Sequence, residues 1–264
     1  MEIEDQEDLH LRKEAIRRGS SGILSPTVTD AVLSRNSTRS FAKKGVPRSQ
    51  LLDILRLARY APSGGNLQPW HVHVLTGQKL DSLRQKVYHK SGENPAGEGS
   101  EYFIYPPALT DPYRARRSQC GKDLYGSLDI GRKDLSRKIH QVRQNFLFYG
   151  APVGLVVVVD KQMNQPQFVD LGLFLGHLCL LARERGIDTC LQEAWALWPK
   201  TIRDHLGIPD NLLVFCGVAL GYKPQQPGHL EKLVNLTTER AKLGEFVVFH
   251  GDESVDSRGV VSRL

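Results

Sequence analysis

Residues 151–160 read A-P-V-G-L-V-V-V-V-D, a short continuous apolar run whose only charged position is its last. Such a run lacks the polar–apolar alternation of a half-exposed strand and is expected of a strand buried on both faces. A second run, L-L-V-F-C-G-V-A-L-G-Y at 212–222, reads the same way and passes into a glycine turn. Leu51, Ile54, Leu55 and Ala58 recur at helical spacing after Pro47,. W-H-V-H-V-L-T (70–76) alternates as a strand, and K-L-D-S-L-R-Q-K-V-Y-H-K (79–90) fits a helix. Residues 168–185 are apolar enough for a long helix buried nearly all round,. Val28, Val32 and Leu33 could seat one face of a helix beginning at Thr29, and E-F-V-V-F-H (245–250) is a strand candidate. Helices set between a few central strands, with no regular alternation into eight units, argue for an α+β layered domain over a barrel.

A chain of 264 residues can bury a real core,. No internal repeat or composition break divides it. The expected organisation is an N-terminal arm over 1–27, a domain over 28–250 and a tail over 251–264. Residues 91–113 hold too many Pro and Gly for a regular element and form a long surface excursion, of a kind that is often functional,. No stretch approaches the roughly 20 apolar residues that cross a bilayer. The first twenty residues mix acids and bases without an apolar segment, unlike a signal peptide,. Cys120, Cys179, Cys190 and Cys216 form no CxxC pair, so a reduced, cytoplasmic protein is the simple expectation,.

The net charge of +6 favours anions without choosing among nucleotides, carboxylated aromatics and nucleic acid,. Nine Lys/Arg against three Asp fall in 114–143, mostly in amphipathic helical patterns. That stretch reads as a solvated helical face, or as a rim that attracts an anionic substrate; it matches no nucleic-acid module. The histidines lack metal-ligand spacing: HExxH is absent, and His71 and His73 have no carboxylate or cysteine ligand nearby in sequence,. No metal site is expected, and no acid–base pair or activated thiol stands out.

Two segments offer a site. In S-R-N-S-T-R-S (34–40), Arg35, Ser37 and Arg39 alternate, so an extended backbone would point all three one way,. Guanidinium forks match phosphate oxygens, and a hydroxyl completes the donor set; a solvated basic turn is the plain alternative. In A-P-S-G-G-N-L-Q-P-W (61–70), two prolines bracket two glycines, which lets the backbone come close to a flat ligand,. Ser63, Asn66 and Gln68 there supply donors and acceptors for a heterocycle, while Trp70 suits core packing. An ordinary tight turn would explain the same residues. GxxxxGK[ST] is absent, and no GxGxxG follows a strand,.

Taken together with G-V-A-L-G-Y (217–222), these segments resemble the FMN-dependent nitroreductase family, and R-Q-N-F-L-F-Y-G-A-P (143–152) resembles a subgroup acting on nitrobenzoates and related nitroaromatics. The likeness covers roughly residues 28–250. It implies a three-layer α+β fold with a central mixed, mainly antiparallel sheet, and a homodimer with FMN at the subunit interface. By resemblance, Arg35, Ser37 and Arg39 hold the phosphate, ribityl chain and pyrimidine edge. Pro62, Ser63, Gly64 and Asn66 approach from the partner, Leu191, Gln192 and Glu193 lie beside the ring, and Arg240 helps with the phosphate. Ala194 and Thr238 stand where relatives often have glycine and a basic residue.

The implied activity is ping-pong electron transfer from NADH or NADPH to a small oxidised aromatic acceptor, with the chemistry carried by the flavin rather than by a protein acid or base. Phe146, Phe148 and Tyr149 fit either the wall of an acceptor pocket or the core beside 151–160, and Arg116 and Arg117 fit its rim. A carboxylated aromatic acceptor suits this composition. Reduction of quinones, flavin or enoates is the alternative on the same fold; a non-enzymatic flavin- or nucleic-acid-binding protein is the alternative of another class.

Overall fold

The computed structural model describes residues 27–248, Glu14, His250 and the backbone of residues 253–255 and 261–263. Of the expected arm over 1–27, only Glu14 and Thr27 are described. The expected tail over 251–264 is described only as the paired strands β5 (Glu253–Val255) and β6 (Val261–Arg263).

Four strands form the central sheet: β1 (His71–Thr76), β2 (Val153–Asp160), β3 (Asp188–Gln192) and β4 (Leu212–Gly221), in the order β1-β2-β4-β3. Every pairing between them is antiparallel. The parallel contribution is one bridge, between Ser37 and Thr189 on β3. The valine run at 153–159 is buried throughout, as its pattern predicts. Leu155, Val157 and Val159 pack with Leu51, Ile54 and Ala58 of α2 (Arg48–Ala58) and Leu171, Phe174 and Leu178 of α6 (Gln165–Glu184). Val156 and Val158 face the other way. There they meet Leu80, Leu83 and Val87 of α3 (Gly77–Glu93), Ile202 of α7 (Pro199–Leu206), and Trp195 and Trp198. One strand with period-two side chains thus feeds two cores, giving helix, sheet and helix layers.

Gly154 keeps the second layer close: a Cβ there would stand 2.7 Å from Leu80 and 2.9 Å from Phe148. Trp70 stacks on Phe174 at 5.1 Å with 14° between the rings, which is the packing role expected of it.

Three expectations need correction. Helix α1 (Val28–Ser34) is capped by Thr27, whose Oγ1 accepts from the Asp30 backbone N–H at 3.0 Å. That cap turns Asp30, Ala31 and Ser34 inward and leaves Val28 and Val32 at 73% and 52% exposure. Helix α6 is not buried all round: Val169, Gly172, Leu173 and Gly176 form an open stripe at helical spacing,. The basic stretch, by contrast, forms α4 (Tyr113–Gly126) and α5 (Leu135–Arg143) as the solvated face expected of it: α4 buries no residue and α5 buries only Gln141. Over 245–248 there is no strand among the described residues, and Phe246 and Val248 are exposed.

The excursion is irregular from Asn94 to Pro112, between α3 and α4, and it is firmly anchored. Glu98 accepts from the Thr201 backbone N–H at 2.8 Å, Glu101 engages Arg203 and Lys161, and the Tyr102 hydroxyl donates to the Phe215 carbonyl at 2.6 Å.

Candidate functional site

Arg35 leaves α1 in an extended conformation (φ −67, ψ 131). From there the chain runs along β3, an edge strand of the sheet: Ser37 bridges Thr189, and the Thr38 backbone N–H donates to the Thr189 carbonyl at 3.0 Å. Thr38 is fully buried, while Arg35, Ser37 and Arg39 stay half-buried. The strip caps an edge that would otherwise expose unpaired backbone groups,. Neither arginine forms an ion pair with any described residue.

The strip is fastened from beneath. Arg183 of α6 is buried, donating to Ser34 Oγ at 3.0 Å and to Asp188 Oδ1 at 3.1 Å. Asp188 also accepts from the Lys223 backbone N–H at 3.3 Å, and the Lys223 ammonium lies 3.7 Å from it. Burial drags the Lys223 pKa down against that carboxylate's attraction. Asn36 then ties the following segment to the strip, its Nδ2 donating to Val234 O at 3.0 Å and Leu236 O at 3.2 Å.

At the other end of the strip, Arg39 and Tyr149 line a cavity of ≈ 350 Å³ together with Gln141, Gln144 and Ile130. The Tyr149 hydroxyl donates to Asn145 Oδ1 at 2.9 Å, and Gln192 Nε2 donates to Asn145 O at 2.9 Å. Burial raises the pKa of Tyr149, with Arg39 opposing. It also pushes the nearby Cys190 thiol up to about 11, so that thiol is neutral at pH 7. Phe148, Tyr149 and Gly150 all take positive φ (50, 51 and 79), a run that non-glycine residues adopt only when packing enforces it,. The enforcing contact is visible: Phe148 stacks on Trp195 at 4.2 Å, and Phe146 meets Trp195 and Trp198 edge-on. Phe146 and Phe148 are 3% and 0% exposed, so they are core residues and not the pocket wall; only Tyr149 of the three reaches a cavity.

Leu191 and Glu193 are exposed where β3 ends, while Gln192 is buried and turns its side chain toward Asn145. The Gln192 Oε1 atom is buried without a partner among the described residues.

The 61–70 segment folds as a 3₁₀ turn over Gly64–Asn66, with Gly65, Asn66 and Gln68 at positive φ. Pro62, Gly64 and Asn66 are exposed, Ser63 is half-buried, and the Gly64 backbone N–H donates to both carboxylate oxygens of Asp170 at 3.3 Å. Asp170 lies near the start of α6 and Arg183 near its end. About 20 Å of helix separates them at about 1.5 Å per residue. Within one chain, the structure does not bring this turn to the Arg35–Arg39 strip.

Arg240 does not converge on the strip either. Its guanidinium donates to the carbonyls of Thr238 and Glu239, and it lines a ≈ 390 Å³ cavity with Arg116. Arg116 pairs with Glu245 at 2.8 Å; Arg117 instead lies over the Tyr105 ring at 3.9 Å. Tyr105 adjoins Glu193: burial, then the Glu193 charge and hydrogen bond, raise its pKa.

Sequence reasoning missed Asn145, which braces both Tyr149 and Gln192, and Asp170, which holds the glycine turn. Asp170 did carry a signal, as a lone acid within F-V-D-L-G-L-F. Asn145 carried none, because one of its two partners, Gln192, comes from β3, 47 positions on. No group of three or more His, Cys, Asp or Glu positioned for a metal ion occurs among the described residues, and no described helix is long and apolar enough to cross a membrane.

The profile described as "Nitroreductase family" matches residues 32–222. A chloronitrobenzene nitroreductase of Comamonas testosteroni is 32% identical over 225 residues, covering 85% of this chain and 97% of that one. A 4-nitrobenzoate reductase of Nocardioides sp. (strain LMS-CY) is 34% identical over 228 residues, covering 85% and 90%. Among solved structures, the FMN- and NADPH-dependent nitroreductase NfnB from sphigopyxis sp. strain HMH superposes with a TM-score of 0.81 at 37% identity, over 85% of this chain and 99% of that one.

Proposed function

The chain belongs to the nitroreductase family, and from that premise we propose that it is an FMN-dependent oxidoreductase. In this reading it takes electrons from NADH or NADPH and passes them, in a ping-pong scheme, to a small aromatic acceptor such as a nitrobenzoate. The observation that carries the reading is the Ser37–Thr189 bridge, which sets two guanidiniums without ion-pair partners and a hydroxyl alongside β3, on the strand that leads to Leu191–Glu193.

That donor set suits FMN. Arg35, Ser37 and Arg39 would hold the phosphate, the ribityl chain and the pyrimidine edge by charge-assisted bonds. The backbone of Leu191, Gln192 and Glu193 would flank the ring, with the Gln192 side chain held by Asn145. Arg240, which the resemblance also assigns to the phosphate, follows the segment that Asn36 ties down. FMN, when bound, supplies the two-electron chemistry between nicotinamide and acceptor. Arg39 contributes positive charge at the inner end of the strip, and Tyr149 and Asn145 fix the wall beside it. Cys190, neutral and buried, is a packing group there.

The separation along α6 supports a homodimer in which Pro62, Ser63, Gly64 and Asn66 of a second copy complete each site. The open stripe of Val169, Gly172, Leu173 and Gly176, with Val28 and Val32 on the adjoining α1, gives that copy an apolar, closely approachable surface,. The choice of acceptor follows the relatives that reduce nitroaromatics; Phe146 and Phe148, being core residues, lend it no support.

The test is anaerobic titration of the purified protein. A yellow protein, bleached by NADH or NADPH and reoxidised by 4-nitrobenzoate or nitrobenzene, is the expected result. A colourless protein that takes up no FMN overturns the reading. Reoxidation by quinones or enoates alone overturns the acceptor.

A further inference from the structure

Beside α4 the chain forms a half-open groove of ≈ 1040 Å³. Arg114, Arg117, Lys122, Arg132 and Lys138 line it, and no Asp or Glu does among the described residues. Arg114 is neutralised by Asp111 at 2.8 Å, but Lys122 and Arg132 have no ion-pair partner among the described residues. Lys138 spends its ammonium on the Arg132 carbonyl and lies 5.2 Å from the Tyr125 ring. Like charges gathered around one hollow repel one another, and α4 buries no residue that would hold them there for the sake of a core,. An anion filling the groove removes that repulsion.

We propose that the groove receives the 2′-phosphoadenosine end of NADPH, so that the enzyme prefers NADPH to NADH. This rests on the reading of the chain as a nicotinamide-dependent oxidoreductase. Three features select a phosphorylated nucleotide over the carboxylate of a small acceptor. The volume lies at the upper end of the roughly 300–1,000 Å³ of small-molecule sites, large for a benzoate. A 2′-phosphate carries about −1.5 to −2 charges at pH 7, enough to engage more than one of these cations, with Arg132 able to bind it bidentately. Pro106, Pro107 and Leu109 form an apolar wall on which a purine can lie.

The groove also adjoins the candidate site at two places. Ile130 lines both it and the cavity of Arg39 and Tyr149. Arg117 covers the Tyr105 ring, and Tyr105 borders Glu193. A dinucleotide with its nicotinamide beside Leu191–Glu193 therefore has a continuous path to the cations.

The experiment compares the full-length protein, as purified, with the double variant Lys122→Ala, Arg132→Ala. Both side chains are exposed, so the fold is not at risk. Loss of charge-assisted phosphate bonds should lower the NADPH-to-NADH ratio of kcat/KM by about tenfold or more. By calorimetry, 2′,5′-ADP should bind the parent more tightly than 5′-AMP, and the variant should lose that difference. A ratio that stays within about twofold, or 2′,5′-ADP binding no tighter than 5′-AMP, overturns the proposal. So does a variant whose only change is a higher KM for 4-nitrobenzoate. A protein that binds 2′,5′-ADP tightly yet oxidises neither nucleotide keeps the groove and sinks the oxidoreductase reading instead.

Discussion

The Arg35–Arg39 strip and helix α4 both present cations to solvent, and they are held in opposite ways. The strip is bridged to β3, braced from below by the buried Arg183–Asp188–Lys223 cluster and roofed by the segment that Asn36 ties down. Helix α4 buries nothing, and its attachments are surface pairs such as Arg116 with Glu245. Fixed cations suit a group that stays bound, because the cost of ordering them is met once, on folding. Cations on a loosely attached helix suit a ligand that comes and goes every turnover, since local movement there costs little. In the proposed function these are the flavin and the nicotinamide nucleotide.

The comparison can be broken at several points. Asp188→Ala leaves Arg183 and Lys223 buried without their carboxylate and should cost about 3–5 kcal/mol in urea unfolding. A loss under about 1 kcal/mol would mean that the cluster does not fasten the strip. Arg39→Ala should weaken FMN by about 1.5–3 kcal/mol, seen as roughly ten- to hundredfold in the flavin Kd; unchanged flavin content refutes the assignment.

A subtler effect concerns the excursion, which joins the rigid part to α4. Burial works to raise the pKa of Glu98 and Glu101. Hydrogen bonds from Thr201 and Lys90 outweigh it at Glu98, and those from Lys161, Arg203 and the Val214 N–H outweigh it at Glu101, so both end lowered. Depressed folded-state values mean stability that is present above the unfolded value of about 4.3 and lost as pH falls through the folded value. Hydrogen exchange over 94–105 should therefore quicken near pH 3.5 while β2 and β4 stay protected; equal protection at pH 6 and 3.5 would show that other contacts hold the excursion. Gln119→Ala on α4, which removes only an exposed bond to Asp123, should change stability by no more than about 0.5 kcal/mol,.

How much could be read beforehand follows from how local each cause is. The valine run and the Arg35–Ser37–Arg39 alternation were legible because strand periodicity is a property of the chain itself. The open stripe on α6 was not, since a helix apolar on every side does not reveal which side its own sheet will cover. The 114–143 stretch was legible as a solvated face, because so many cations in one segment leave little that can be buried,. E-F-V-V-F-H has strand propensity, yet its described residues 245–248 join no sheet, and tertiary pairing decides such cases,. The fate of Phe146 and Phe148 depended on Trp195, some fifty positions away, whose ring also closes over Gly217. The proposed flavin site had its residues visible but not their grouping, because Pro62, Ser63, Gly64 and Asn66 stand at the far end of α6 from the Arg35–Arg39 strip.

In the proposed homodimer, that distance along α6 has a thermodynamic consequence. A ligand gripped jointly by two chains is bound only while they are together, so cofactor occupancy and assembly belong to one linked equilibrium. Dilution would release flavin even at saturating free FMN, and added FMN would draw monomers into pairs. The dissociation constant of the cofactor is then not a constant of the polypeptide at all, but of its concentration.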